Sequence, residues 1–111
     1  MITMNDWYRI KINNTQIEAT THKAILIKLP HSSRYDGFMF WHPIKLAKDK
    51  GFQIAICFTK DFEFTIRRYG SRYKVLDEKK INVEQLLEAF GKQLEHDQQF
   101  PKKYKVPATL F

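Results

Sequence analysis

Alternation of apolar and polar residues predicts a chain made mostly of β-strands. The segment 7–12 alternates most cleanly, so a strand there buries one side and exposes the other. The segments 52–58 and 62–69 show the same period and are joined by the short link 59–61, as in a β-hairpin. The run 23–29 is apolar on both sides, which is typical of a central strand. In the first strand, Tyr8, Ile10 and Ile12 are predicted to face the core, and Trp7, Arg9 and Lys11 to face outward.

Turn-forming residues mark the ends of several of these strands. The stretch 30–37 is rich in Pro, Ser, Asp and Gly, so it predicts a surface loop before an aromatic strand at 38–41. Pro43 suits the first turn of a helix, and Gly51 suits a residue just past its end. We therefore expect one short helix between these two residues.

A second helix is predicted near the C-terminus of the chain. Asn82 is followed three residues later by Gln85, which resembles a capping box. The apolar residues that recur at helical spacing after this point are Val83, Leu86, Leu87, Phe90 and Leu94. The pattern predicts a helix over 83–97.

Together these elements predict a single α+β domain over 1–100, with 101–111 as a basic, extended tail. The domain is expected to be a curved, mostly antiparallel sheet of five to seven strands, covered by the C-terminal helix. A chain of 111 residues that is 43% hydrophobic can fill one core. Its lone cysteine, Cys57, cannot form an internal disulfide, and its apolar runs are far shorter than a membrane span needs. A cytoplasmic protein with no membrane partner is expected.

Charge is distributed unevenly along the chain. The net charge is +7, yet the segment 77–100 carries three lysines against six acidic residues, which leaves +10 for the remainder. Such an excess of positive charge attracts polyanions. The helix is acidic on its exposed side, so it is a poor candidate for reading the major groove of duplex DNA.

The segment 62–76 carries the main candidate binding surface. Gly70 and Ser71 predict a two-residue turn that favours Gly first, followed by a strand at 72–76. In that register Tyr69 opposes Arg72 and Arg67 opposes Lys74, with all four side chains on one face. Like charges opposed across a ladder destabilise it, so a bound anionic backbone is one explanation, with Tyr69 stacking on a base. A solvated face whose long cations spread into water is the other.

Further candidates surround this face. For nucleic acid they are Arg34 and Tyr35 in the loop, Trp7, Arg9 and Lys11 on the first strand, and Lys102, Lys103 and Lys105 in the tail. Aromatic residues interleaved with cations suit a sequence-tolerant groove for single strands. Core packing is the alternative for Trp7 and Trp41, and a disordered basic end is the alternative for the tail. The candidates for docking a protein partner are Glu84, Glu88 and Glu95 on the helix, and Leu110 and Phe111 at the end of the chain.

The sequence holds no recognisable catalytic or metal-binding motif. His22, His31, His42 and His96 lack metal-ligand spacing, and one cysteine cannot build a thiolate site. We therefore expect no enzyme activity, no metal and no cofactor. One catalytic alternative stays open, in which His31, Arg34 and Tyr35 form the metal-free acid–base set of a small ribonuclease toxin.

Three segments, 23–30, 38–46 and 62–70, resemble small proteins of Gram-positive mobile elements. In particular they resemble the small middle proteins of staphylococcal cassette chromosome replication operons, encoded between a family-A-like DNA polymerase and a helicase. The resemblance implies a non-catalytic subunit that binds the polymerase and lets it start primers on single-stranded template. It implies no catalytic residue.

The expected function is therefore that of a DNA-replication accessory protein that binds single-stranded DNA and partners a DNA polymerase. The first alternative is a protein-interaction or inhibitor module of phage or mobile-element origin, whose basic face meets an acidic protein. The second alternative is the ribonuclease.

Overall fold

The computed structural model describes residues 7–96 and shows a small α+β domain. Within this part of the chain, nine strands form two antiparallel sheets, and one α-helix follows the eighth strand. The strands are β1 Tyr8–Asn13, β2 Ile17–Thr20, β3 Ala24–Lys28, β4 Phe38–Pro43, β5 Ala47–Asp49, β6 Gln53–Phe58, β7 Glu63–Tyr69, β8 Val75–Asn82 and β9 Glu95–His96. The helix is α1 Val83–Phe90.

The strands are divided between a four-stranded and a five-stranded sheet. The first has the order β5-β6-β1-β9 and the second β2-β3-β4-β7-β8. The prediction of one curved sheet of five to seven strands is therefore wrong in strand count and in architecture. One reason lies after Pro43, where a 3-10 turn at Ile44–Leu46 replaces the predicted helix and leads directly into β5. The other is β9, Glu95–His96, which adds an edge strand to the first sheet where the sequence predicted helix.

One hydrophobic core lies between the two sheets. Ile10 and Ile56 contribute to it from the four-stranded sheet, and Ile27 and Phe40 from the five-stranded sheet. Phe64 of β7 contacts Phe58 of β6 edge to face, with the ring centroids 5.6 Å apart. Side chains of alternating strand residues thus fill a shared interior, as the period of two in the sequence predicts.

His42 lies within this core, and it is almost completely buried. Its Nε2–H donates to the backbone carbonyl of Cys57 at 2.9 Å, and its ring stacks on Phe64. Burial disfavours the charged imidazolium, and it lowers the pKa of His42 from 6.5 to about 4. The side chain is therefore a neutral hydrogen-bond donor that joins β4 to β6.

The helix begins as predicted and ends early. The Asn82 side chain accepts from the Gln85 N–H at 2.8 Å, and the Gln85 side chain accepts from the Asn82 N–H at 2.9 Å, which forms the predicted capping box. The helix stops at Phe90 because Gly91 adopts φ 62°, the left-handed conformation that ends many helices. The predicted extension to residue 97 is wrong, since residues 95–96 form β9 instead.

Candidate nucleic-acid interface

The turn between β7 and β8 lies two residues later than the sequence predicted. The Lys74 N–H donates to the Ser71 carbonyl at 3.1 Å, so Arg72 and Tyr73 are the two central residues of the turn. The Gly70 N–H donates to the Lys74 carbonyl at 2.7 Å, which closes the hairpin beneath them. The predicted turn at Gly70 and Ser71, and the strand from residue 72, are therefore wrong.

This shift changes every pair across the hairpin. Arg67 lies opposite Glu78 instead of Lys74, and its Nε–H donates to the Glu78 carboxylate at 2.8 Å. That hydrogen bond, together with one that Arg67 donates to the Tyr69 side chain, raises the pKa of the Arg67 guanidinium above its usual value. The predicted opposition of two cations does not occur, and Arg67 serves as half of a surface ion pair.

The turn itself is strained. Arg72 has φ 57° and Tyr73 has φ 58°, the two positive values of a type I′ turn. Such turns favour Asn and Gly, since a side chain in the left-handed region costs on the order of 1–2 kcal/mol per residue. Two bulky side chains are therefore held in an unfavourable backbone at the most protruding point of the hairpin, and strain of this kind is common at binding sites.

The strained turn presents aromatic and basic side chains to solvent. Tyr73 is 60% exposed, and its ring meets that of Tyr69 edge to face at a centroid distance of 5.6 Å. Arg72 and Lys74 flank Tyr73 and are exposed. Within residues 7–96 neither cation makes an ion pair. We call Tyr69, Arg72, Tyr73 and Lys74 the hairpin tip.

Two aliphatic residues of β8 lie beside the hairpin tip. Val75 is 46% and Leu76 is 58% exposed. A β-bulge between Arg68 and Tyr69 shifts the register here, and the Leu76 side chain packs over the backbone of Gly70. A Cβ at position 70 would lie 3.1 Å from the Leu76 methyl carbons, so glycine is what allows this close approach.

The loop 30–37 contributes less than predicted. Tyr35 is only 6% exposed and packs edge to face on Phe38, so its ring is part of the core and is not available to stack on a base. Arg34 is exposed, with its Nη2 3.6 Å from the Glu88 carboxylate. His31 Nδ1 lies 2.6 Å from the Asp36 carboxylate. The burial of Tyr35 removes it from the set proposed for a ribonuclease.

The outer face of β1 forms a second basic surface. Arg9 and Lys11 lie on the side opposite the buried Ile10 and Ile12, as predicted. The Arg9 Nε–H donates to the Glu95 carboxylate of β9 at 3.1 Å. Lys48, which sequence reasoning did not single out, lies in register with Lys11 across the buried Ala55.

Trp7 also lies near the outer face of β1 but is half-buried. It packs against the small cluster of Leu46 and Cys57, and it meets Phe62 edge to face at 6.4 Å. This is the packing alternative that the sequence left open for this residue. The indole therefore supports the fold around Cys57 more than it extends the basic surface.

The docking candidates do not lie on one helical face. Glu84 and Glu88 are exposed one turn apart on α1, whereas Glu95 belongs to β9 and is the partner of Arg9. The predicted assignment of Glu95 to the helix is therefore wrong. The remaining candidates, Lys102, Lys103, Lys105, Leu110 and Phe111, lie outside the described residues.

Two exposed aromatic residues were missed as candidates from the sequence. The sequence predicts Tyr73 as part of a strand, because the pair Arg72-Tyr73 lacks the Asn and Gly residues that usually indicate a two-residue turn. Phe52 was predicted as a residue of the following strand, but it is 88% exposed in the turn after Asp49, next to Gly51 at φ 83°. A glycine directly before the aromatic residue was the available signal.

Other kinds of site find no support in the part of the chain that the structure describes. Residues 7–96 contain no group of three His, Cys, Asp or Glu side chains arranged to hold a metal ion. The described helix of eight residues is too short to cross a bilayer.

Comparison with known protein families, curated proteins and solved structures found no match for this chain. The hairpin tip is the candidate interface that the geometry of the described residues supports best.

Proposed function

We propose that this protein is a non-catalytic accessory protein of DNA replication in a mobile element. It binds single-stranded DNA through the hairpin tip and partners the element's DNA polymerase, helping primer synthesis. The observation that carries the DNA-binding part is the exposed Tyr73 ring, held between Arg72 and Lys74 in a strained turn.

The chemistry of the hairpin tip suits a single strand. Unpaired bases have exposed faces, and stacking of a base on an aromatic ring contributes about 1–3 kcal/mol. Arg72 and Lys74 extend from the same turn and place positive charge beside the ring, where successive phosphates of a bound strand would pass. No basic recognition helix is present within residues 7–96, because α1 carries exposed glutamates.

The polymerase part of the proposal depends on the resemblance to replication-operon proteins and on the acidic surface of α1. Glu84 and Glu88 are exposed on this helix and point away from the buried Val83 and Leu86. An acidic surface remote from the DNA-contacting turn leaves a partner free to bind at the same time. Co-purification with the element's own polymerase, lost in the Glu84→Lys variant, is the expected result.

The DNA-binding part is tested by fluorescence anisotropy with a labelled oligothymidine at two salt concentrations. Tyr73→Ala should weaken binding by roughly tenfold, since it removes one stacking platform. Arg72→Gln with Lys74→Gln should weaken binding and flatten its dependence on salt, since it removes phosphate contacts. Duplex DNA and RNA probes establish which nucleic acid is preferred.

Matched controls separate the hairpin tip from general effects of charge and aromaticity. Phe52→Ala removes another exposed aromatic residue, and Lys23→Gln removes an exposed cation before β3, at the opposite end of the five-stranded sheet. Both controls should bind as the unmodified protein does. Equal binding by the Tyr73→Ala variant would eliminate the hairpin tip as the interface.

The exposed Val75 and Leu76 favour a second candidate function. Aliphatic side chains next to a basic turn suit a protein partner with an acidic rim, which is the interaction-module alternative. In that case no oligonucleotide binds at either salt concentration, and Leu76→Ala disrupts the complex with the protein partner.

A further inference from the structure

Two cations lie over the same aromatic ring, just below the hairpin tip. The guanidinium carbon of Arg68 is 5.8 Å from the centre of the Phe38 ring, and the Lys79 ammonium is 5.6 Å from it. Arg68 comes from β7 and Lys79 from β8, and both lie on the core-facing side of the hairpin. Phe38 itself is buried. We call Arg68 and Lys79 the cation pair.

Within residues 7–96, no acidic side chain forms a salt bridge with either member of the cation pair. Asp77 lies directly opposite Arg68 in the ladder, yet its carboxylate accepts the backbone N–H of Glu78 at 2.8 Å. Within residues 7–96 neither Arg68 nor Lys79 makes an ion pair, whereas the adjacent Arg67 is bonded to Glu78. Two like charges that lie over one ring repel each other, and the attraction of each cation to the ring opposes this repulsion.

We propose that the cation pair is a binding site for a phosphate group, and that the phosphate belongs to the backbone of the single strand held by the hairpin tip. This inference rests on the proposed function. A guanidinium donates two parallel hydrogen bonds to phosphate oxygens, and an ammonium adds a compact charge, so the pair supplies both modes of recognition. A bound dianion or diester would remove the repulsion between the two cations.

The position of the cation pair fits a strand that passes around the hairpin. Tyr69 follows Arg68 directly, so the two side chains lie on opposite faces of β7, and the Tyr69 ring belongs to the hairpin tip. Lys79 belongs to β8, the last strand in the order of the five-stranded sheet. A nucleotide strand that leaves the hairpin tip around this edge strand therefore passes from the face of Tyr69 to the face that carries the cation pair.

The first test measures the salt dependence of oligothymidine binding. In Arg68→Gln with Lys79→Gln, the slope of log affinity against log salt concentration should decrease by roughly 0.7, the value for one phosphate contact to a single strand. In each single variant the slope should decrease by most of this amount, because both cations bind the same phosphate. Lys23→Gln is the control and should leave the slope unchanged. An unchanged slope in the double variant would overturn the site while leaving binding by the hairpin tip intact.

The second test uses inorganic phosphate and does not depend on DNA binding. Phosphate at fixed ionic strength should raise the Tm of the unmodified protein and of Tyr73→Ala more than that of the double variant, because only the first two retain the site. The general salting effect of phosphate is common to all three proteins and cancels in the comparison. Equal increases in Tm would contradict the proposal. If phosphate stabilises through the cation pair but no oligonucleotide binds, the site stands and the proposed function fails.

A measurement on the unmodified protein covers the case in which the double variant does not fold. In NMR titrations with inorganic phosphate, the Arg68 Nε–H and the Phe38 ring protons should shift with a common saturating curve. The Arg72 Nε–H, which lies in the turn, is the internal reference and should shift less. Equal, non-saturating shifts at both arginines would show only general screening and would overturn the site.

Discussion

Arg72 and Tyr73 illustrate a conflict between local backbone preference and surface chemistry. A type I′ turn is most stable with Asn and Gly at its centre, and here it holds the two side chains that suit nucleic-acid contact. Residues retained against their backbone preference are typical of binding sites, where stability and function compete. Substitutions that relieve the strain in this turn should therefore stabilise the protein and weaken its binding of single-stranded DNA.

The double variant Arg72→Asn with Tyr73→Gly tests this conflict. Both new residues tolerate positive φ, so we expect the free energy of unfolding to increase by about 1 kcal/mol or more. Affinity for oligothymidine should fall at least as much as in Tyr73→Ala. Urea denaturation and anisotropy on the same samples measure the two effects.

The matched control for this variant is Lys23→Gly, at another exposed position. The backbone at residue 23 has no positive φ, so glycine relieves no strain there and should not stabilise the protein. A double variant that is less stable than the unmodified protein would mean that the turn is not strained as its φ values indicate.

His42 predicts how stability depends on pH. Its pKa is about 4 in the folded protein and 6.5 when unfolded, so the unfolded state binds the proton first as the pH falls. The free energy of unfolding is therefore unaffected by this group above the unfolded pKa and decreases between about pH 6.5 and pH 4. At about pH 5 the loss is on the order of 2 kcal/mol, at 1.36 kcal/mol per pH unit.

The variant His42→Gln isolates this contribution. The glutamine amide can still donate to the Cys57 carbonyl but does not titrate, so its loss of stability between about pH 7 and pH 5 should be smaller by about 2 kcal/mol. Phe52→Ala replaces an exposed side chain that does not titrate and should leave the pH dependence unchanged. Identical pH profiles for all three proteins would contradict the assignment to His42.

At the scale of single elements, the helix depends strongly on its first turn. It has only eight residues, so isolated helix propensity contributes little and the cap matters more. Asn82→Ala removes the acceptor for the Gln85 N–H and should reduce the free energy of unfolding by about 1 kcal/mol. Asn82→Asp keeps the acceptor and should be nearly neutral. Chemical denaturation of the three proteins measures both effects, and equal loss in both variants would exclude the cap as the cause.

Local signals predicted some elements well because those elements are determined by nearby residues. The period of two at residues 8–12 and the capping box at Asn82 both depend on local chemistry, and both are present in the structure. The turn at Arg72 and Tyr73 could not be predicted in this way. Its position is set by pairing along the whole of β7 and β8, which places Ile66 and Ile81 in the core and overrides the Gly70 signal.

The candidate binding residues also differ in whether nearby residues or distant contacts determine their positions. Arg9 and Lys11 were predicted on the outer face because alternation alone decides it. Tyr35 was predicted to be exposed because its neighbours are polar, but the loop folds its ring onto Phe38. Lys48 joins the outer face of β1 through strands that are distant in sequence, which local reasoning cannot predict. Lys79 lies beside Arg68 because of the register of the β7–β8 hairpin, which the sequence predicted wrongly.

At the scale of the whole molecule, the two sheets share one core and should therefore unfold together. Phe64 of the five-stranded sheet contacts Phe58 of the four-stranded sheet and also Phe40 and His42 of β4. Phe40, Phe58 and Phe64 are buried members of the same core cluster. A small domain in which the sheets depend on common contacts is expected to unfold in a single transition.

Phe64→Leu tests this dependence. It keeps a hydrophobic side chain but loses ring contacts to both sheets, so the free energy of unfolding should fall by about 1–2 kcal/mol, below the roughly 3–5 kcal/mol of truncation to alanine. Phe52→Ala removes an aromatic side chain that is 88% exposed and is the control. Native-state hydrogen exchange is the decisive measurement, because the amides of Ile56 in β6 and Ile66 in β7 report on different sheets. In Phe64→Leu, protection against exchange should decrease by the same free energy at both amides. The reason is that neither sheet can unfold unless the shared core unfolds. Loss confined to Ile66 would mean that the four-stranded sheet is stable alone, and the hairpin that carries the candidate DNA site would then belong to a separately unfolding unit.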